Sequence, residues 1–255
     1  MNFPKLTVIL ISVALFGLSV TVVNAEEQTT LLRLEMALNL ALPEDPPIVL
    51  SIGTDFETTK LGTVIFLSRA EGMKRMVEIA RAQKDELGML YLPCWEAWIT
   101  TSTKRGIDHV KNDVKYFDAA IAAEPEIEIW HTHSAKGVHP YLKIGENPDS
   151  EWAWYWITPS RVDLFQLYGF AEITGKENFR GMVANPHGVI SYWSHDYLGT
   201  ANQRVNPEMA SMMERIYSKE VMHLQDAFRN AKPEEFQQRA SAYRGVFVMR
   251  FEPVP

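Results

Sequence analysis

The side chains best placed by type and spacing to do chemistry lie in one short stretch, Ile129-Trp130-His131-Thr132-His133-Ser134. The run Glu126–His133 alternates in character with a period of two, which predicts a strand. Residues two apart on a strand project from the same face, so His131 and His133 point the same way. Two imidazoles placed like this can share a divalent metal, with Zn–N bonds of about 2.0–2.1 Å. A His-x-His pair is also common on half-exposed strands, so a metal site needs further donors.

Several arrangements that use such a pair lack their other parts here. A metallo-β-lactamase site needs Asp and His just downstream, and Ser134–Val138 supplies neither. A cupin needs a Glu a few residues on, and Ala135–Val138 has none. An amidohydrolase barrel needs a longer chain, a downstream Lys and more His ligands. The donors that remain are in Ser160-Arg161-Val162-Asp163, at the start of a helix predicted over Pro159–Phe170 with Pro159 near its first turn. Among the other titratable groups, His109, His187 and His223 read as surface residues, while His139 and His195 are outlying candidates for the site. Cys94 has no cationic neighbour in sequence and reads as a buried, inert thiol.

These residues must be held by an ordered framework. Strands are expected at Ile48–Ile52, Thr63–Leu67, Gly88–Leu92 and Trp98–Thr103, where β-prone runs are bounded by breakers. A helix capped by Ser68 runs through Lys84, with Met73, Met76, Val77 and Ala80 on one face. A second helix is expected over Asp108–Ala123, lined by Val110, Val114, Phe117 and Ile121. The stretch Leu31–Leu38 fits either a helix or a strand. Gly181–Ala184 and Val189–Trp193 flank Asn185-Pro186-His187-Gly188 as a hairpin. Asn206-Pro207 opens a helix through Asn230 that turns Met213, Tyr217, Val221, Leu224 and Phe228 inward, and Val246–Phe251 closes the chain as a strand. Ala135–Trp156 has no clear period and reads as a long loop or insert. The order of elements implies an α/β (α+β layered) fold, a mixed β-sheet flanked by helices.

Within that framework the chain resembles the JAB/MPN family of metallopeptidases, whose JAMM motif is a distant Glu, then His-x-His, then Ser-x-x-Asp. The resemblance rests on His131-Thr132-His133 and on Pro159-Ser160-Arg161-Val162-Asp163-Leu164. The helix before the His-x-His strand and the hairpin over Gly181–Trp193 add to it. It covers roughly Ser68 to Trp193, about half of the chain, and implies a JAB/MPN (cytidine-deaminase-like) architecture. By the same resemblance His131, His133 and Asp163 ligate one Zn²⁺, Glu86 is the general base and Ser160 donates a hydrogen bond to the developing oxyanion. Glu86, in Glu86-Leu87-Gly88 directly after the first helix, fits the family's setting for the acid; Glu57 is its rival, and Glu71, Glu78 and Glu96 fit less well. Two features depart from the pattern. Ser134 stands where the family usually has Pro, and the 134–159 insert replaces a gap of a few residues. Trp152, Trp154 and Trp156 in that insert either shape substrate access or pack on the domain surface.

The remaining features bound the setting. Of 255 residues 46% are hydrophobic and 22% charged, which excludes disordered, collagenous and coiled-coil chains. The net charge of −7 with no Lys/Arg stripe argues against a nucleic-acid partner. One cysteine excludes a disulfide framework. Lys5, the uncharged run Leu6–Val23 and Val23-Asn24-Ala25 read as a signal peptide over residues 1–25, cleaved after Ala25. An uncleaved membrane anchor is the alternative. The expectation is a single JAB/MPN-like domain over 26–255, exported to a periplasm or secreted, that hydrolyses a peptide or isopeptide bond in a peptide or protein substrate. A non-catalytic binding or scaffold module and a protein that merely sequesters metal are the competing functions.

Overall fold

Among the described residues eight strands form one mixed sheet in the order β1-β2-β4-β3-β7-β8-β9-β10, and a two-stranded ribbon, β5-β6, forms separately. The sheet strands are β1 (Ser51–Ile52), β2 (Thr63–Phe66), β3 (Gly88–Leu92), β4 (Ala97–Thr100), β7 (Ile127–Thr132), β8 (Phe179–Asn185), β9 (Gly188–Ser194) and β10 (Phe247–Pro253). The ribbon is β5 (Ser102–Arg105) and β6 (Val110–Asn112). The structure is a computed structural model. It describes residues 24–43, 46–82, 85–106, 110–133, 158–160, 179–194, 231–243 and 247–254, with Asp163, Leu164, Leu167, Arg215, Lys219, Met222, His223 and 226–228 as helical residues.

The sheet separates two apolar layers, as alternation along each strand requires. On one face Leu90, Ile127, Val183 and Ile190 pack with Leu34 and Leu38 of α1 (Ala25–Ala41) and Phe117 and Ile121 of α3 (Val114–Ala123). Phe236 and Ala240 of α4 (Phe236–Ala242) join the same layer, as do Leu164 and Leu167. On the other face Met73, Met76, Val77 and Ile79 of α2 (Arg69–Ala82) cover Met89, Trp98 and Trp130, and Ala80 is buried too. Burying each of those large side chains contributes roughly 1.5–3 kcal/mol. Gly72 lets α2 approach this closely, since a Cβ there would lie 2.0 Å from the Trp98 ring.

Local chemistry explains the element boundaries. Ser68 precedes α2 in a reciprocal cap: its hydroxyl donates to Glu71 Oε2 at 2.6 Å and accepts the Glu71 N–H at 3.3 Å. The described part of that helix ends at Ala82, and Lys84 lies outside the described residues. The stretch Leu31–Leu38 is helical, inside α1. Leu31, Leu34 and Leu38 face the core while Leu32, Met36 and Leu40 are exposed, so apolar residues on both sides blur the period. Only Ser51 and Ile52 of the run Ile48–Ile52 join the sheet, because side chains of α1 take the earlier amides. The Ile48 N–H donates to Asn39 Oδ1 at 2.8 Å and the Leu50 N–H to Glu35 Oε2 at 2.7 Å.

Two expectations need correction. The helix read over Asp108–Ala123 starts only at Val114, and Val110–Asn112 is a strand paired with β5. Asp113 sets the boundary: its carboxylate accepts the Lys115 N–H at 3.0 Å as the N-cap. Val110 therefore belongs to the ribbon and Val114 is exposed, while Phe117 and Ile121 stay in the core. The run Trp98–Thr103 is likewise divided at Thr101, where the chain leaves the sheet for the ribbon.

The hairpin forms over β8 and β9 in the expected place. Asn185 pairs with Gly188, and Asn185 Oδ1 accepts the His187 N–H at 2.9 Å across the turn. Gly188 carries a positive φ of 157°. β10 runs antiparallel to β9, so the last strand completes the same sheet. Of the inward set expected for the 206–230 helix, Phe228 is described and fully buried; Met213, Tyr217, Val221 and Leu224 lie outside the described residues. So do most of the segment read as a signal peptide and residues 134–157, which hold Trp152, Trp154 and Trp156.

Candidate metal centre

His131 and His133 emerge at the C-terminal end of β7, on the face that carries Ile127 and Ile129. Both are buried, at 7% and 5% exposure. β7 lies between β3 and β8, and the His133 N–H donates to Ala184 O at 2.8 Å, which keeps the strand extended past its last paired residue. Asp163 reaches the pair from another element. Ser160 and Asp163 form a reciprocal cap, with the Ser160 N–H donating to Asp163 Oδ2 at 2.6 Å and the Asp163 N–H to Ser160 Oγ at 3.3 Å. Leu164 and Leu167 anchor that helix in the core beneath.

The donor atoms converge. His131 Nε2 and His133 Nε2 are 3.1 Å apart, and Asp163 Oδ2 is 3.3 Å from the first and 3.9 Å from the second. Bonds of 2.0–2.1 Å in a tetrahedron require ligand atoms about 3.3 Å apart. The three separations therefore fit one face of such a polyhedron, and the buried His-His-Asp triad can hold a metal ion. Lone pairs brought so close in a dry site repel one another unless a proton or a cation lies between them.

The electrostatics agree with that account. Burial pushes the Asp163 carboxyl up, but His131, its hydrogen bond and His133 outweigh burial and hold it well below the usual carboxylate range. Burial pushes His131 down, while the charge and hydrogen bond of Asp163 and the charge of Glu86 raise it overall. Tyr192, buried on β9, is raised far above its ordinary value by burial and by the Asp163 charge.

Glu86 is buried next to this cluster. Gly88 pairs with His131 across β3 and β7, and the Thr132 N–H donates to Leu87 O at 3.0 Å, so continuing the register sets Glu86 level with His133. Alternation along β3 puts Glu86 on the face shared by the two histidines. The rival acids have other employment. Glu57 is exposed on a turn whose backbone oxygen accepts from Arg105 Nη1 at 3.0 Å. Glu71 caps α2, Glu78 pairs with Arg75 at 3.0 Å, and Glu96 is exposed with a φ of 46°.

His187 and His223 are exposed, as expected, whereas His109, His139 and His195 lie outside the described residues. Cys94 corrects its expectation: it is exposed, on the 3₁₀ turn Pro93–Trp95 that follows β3. Its thiol is raised above the ordinary value by partial burial and by Glu124, which keeps it protonated. Sequence reasoning passed over Tyr192, Thr132, Ser102 and Asn112. The Tyr192 ring occupies the space beside Gly181, where a Cβ would be 2.1 Å from it, and Asn112 Oδ1 would lie 2.5 Å from a Cβ on Gly88. Only Thr132 carried a signal, its place between two candidate ligands.

No family model, no curated protein and no solved structure matches this chain.

Proposed function

We propose that this chain is an exported zinc-dependent metallopeptidase of JAMM type, which hydrolyses a peptide or isopeptide amide bond. The observation that carries the reading is the convergence of His131, His133 and Asp163 on spacings suited to one metal, with buried Glu86 close enough to raise His131. Under this reading the mixed sheet flanked by helices is a JAB/MPN-type (cytidine-deaminase-like) scaffold, and the 134–159 segment is an insert, in sequence, between the His-x-His strand and the Ser-x-x-Asp helix.

His131, His133 and Asp163 hold the metal, and zinc bound there supplies a water of lowered pKa and a Lewis acid for the scissile carbonyl. Glu86 accepts the proton of the attacking water and returns it to the leaving amine, so one water and one amide give one acid and one amine. The Ser160 hydroxyl accepts the Asp163 N–H and lies in hydrogen-bond reach of the Asp163 carboxylate; under this reading it turns its proton to the developing oxyanion during the reaction. Asp163 stays ionised throughout, held so by His131, His133 and the Ser160 hydroxyl.

The first test is elemental analysis of the purified exported protein beside a His131→Ala/His133→Ala variant. About one zinc per chain, lost in the variant, is the expected result. A peptidase screen then follows with Glu86→Gln as control, which is expected to keep the metal and lose hydrolysis. Metal retained together with unchanged hydrolysis in Glu86→Gln removes Glu86 from the mechanism. Absence of metal from the parent protein, even after zinc is offered, overturns the enzyme reading and leaves a binding module. Export is checked by fractionation and N-terminal sequencing; among the described residues no helix is long and apolar enough to cross a membrane.

A further inference from the structure

The end of β3 that carries Glu86 is not held by a regular ladder. Side-chain hydroxyls there supplement the backbone bonds to the neighbouring strands. The Leu87 N–H donates to Thr132 Oγ1 at 2.9 Å, while the Thr132 N–H donates back to Leu87 O at 3.0 Å. Leu87 and Thr132 are both fully buried. On the other side the Gly88 N–H donates to Ser102 Oγ at 2.9 Å, and the Glu86 N–H donates to Gly106 O at 2.7 Å. Successive residues are thus tied alternately, Glu86 and Gly88 toward the ribbon and Leu87 toward the histidine strand.

We infer that Thr132, the residue between the two histidines, is a positioning residue that fixes Glu86 against the metal centre through the Leu87 amide. The inference rests on the reading of Glu86 as the base. Thr132 projects to the sheet face opposite His131 and His133, so its hydroxyl does not meet their donor atoms. Its bond to Leu87 fixes the peptide plane that leads directly into Glu86. Among aliphatic residues of similar size only Thr offers that acceptor, and Ser keeps it with less bulk; Val fills the space and leaves a buried N–H unpaired. A base displaced by about 1 Å loses roughly 100-fold in rate, so a hydroxyl that acts only through the Leu87 amide still has a large effect.

The test compares Thr132→Val, Thr132→Ser and Glu86→Gln in the full exported protein, using Co²⁺ as the probe metal. Thr132→Val is expected to bind one Co²⁺ per chain with affinity within about threefold of the parent, and to give the visible absorption spectrum of Glu86→Gln. Thr132→Ser is expected to restore the parent spectrum. In the metal-free protein the Leu87 amide is expected to exchange at least about tenfold faster in Thr132→Val than in Thr132→Ser. A parent-like spectrum in Thr132→Val, unchanged Leu87 exchange, or loss of Co²⁺ binding in that variant each overturns the assignment. If Glu86→Gln itself leaves the spectrum unaltered, the reading of Glu86 fails and this role of Thr132 fails with it. The Leu87 exchange rate distinguishes that case, since it reports the hydroxyl's hold on the strand whatever Glu86 does.

Discussion

Replacing Asp163 by Asn removes a charge from the centre and keeps an oxygen that can still accept the Ser160 N–H, so the helix cap survives. The lost interaction is between Oδ2 and His131 Nε2 at 3.3 Å, with His133 Nε2 at 3.9 Å. At an effective dielectric of about 20, unit charges at the shorter distance attract by about 5 kcal/mol. Removing one member of a buried pair costs about 3–5 kcal/mol. In metal-free protein His131 can shed its proton once Asp163 is neutral, which puts the expected loss near the lower end, about 3 kcal/mol. The pH window follows from the two shifts. Asp163 is lowered, so its contribution is present above its ordinary value of 3.8 and lost as pH falls through the depressed one. His131 is raised, so its contribution is complete below its ordinary value of 6.5 and lost as pH rises through the elevated one. Urea unfolding in chelator at about pH 5 is therefore expected to show the full loss, and the loss is expected to shrink at progressively higher pH. In zinc titrations the same variant is expected to bind at least about 100-fold more weakly, since even outer-shell partners contribute 10–100-fold. A stability loss independent of pH, or zinc affinity within a few-fold of the parent, would refute the reasoning.

Three further substitutions probe the supports of the site. Gly72→Ala places a Cβ 2.0 Å from the Trp98 ring, which is fully buried and cannot swing away; overpacking of about 1–3 kcal/mol is expected in urea melts, with zinc stoichiometry unchanged. Ser160→Ala removes the acceptor for the Asp163 N–H and is expected to cost about 0.5–2 kcal/mol in stability; measured zinc affinity should fall too, because the cap also orients the Asp163 carboxylate. Arg69 grips buried Glu128 through Nε at 2.8 and 3.0 Å, and the Trp130 Nε1–H donates to the same carboxylate at 3.0 Å. Arg69→Met is expected to cost about 1–3 kcal/mol, less than a fully buried pair because a third of the Arg69 side chain is exposed, while metal content stays at the parent value.

Local patterns were legible in the sequence and account for much of the framework. The apolar spacing of Met73, Met76, Val77 and Ala80, the Ser68 cap and the Asn185–Gly188 turn each specify an element through contacts a few residues apart. The period-two run into His133 likewise placed both imidazoles on one face, because side-chain direction in a strand depends only on position along it. What spacing along the chain could not supply was the partner surface. Leu31–Leu38 has apolar residues on both sides of the helix, and only packing on the sheet decides that Leu34 and Leu38 turn inward. Val110–Asn112 continues the pattern of the following helix, and it becomes a strand because β5 is there to pair with it. Cys94 carries an apolar residue's expectation of burial, yet it sits on an exposed turn forced by Pro93 at the end of a buried strand.

The centre divides in the same way. Its residue types were evident from the sequence, and so was the geometry of His131 relative to His133. The arrival of Asp163 within 3.3 Å, and the choice of Glu86 over Glu57 as the acid beside it, are tertiary facts. They follow from the β3–β7 register and from the seating of Leu164 and Leu167 in the core, contacts made between segments far apart in the chain. A sequence determines its short-range periodicities by itself; which donors meet is decided only when burial of those distant apolar faces closes the fold.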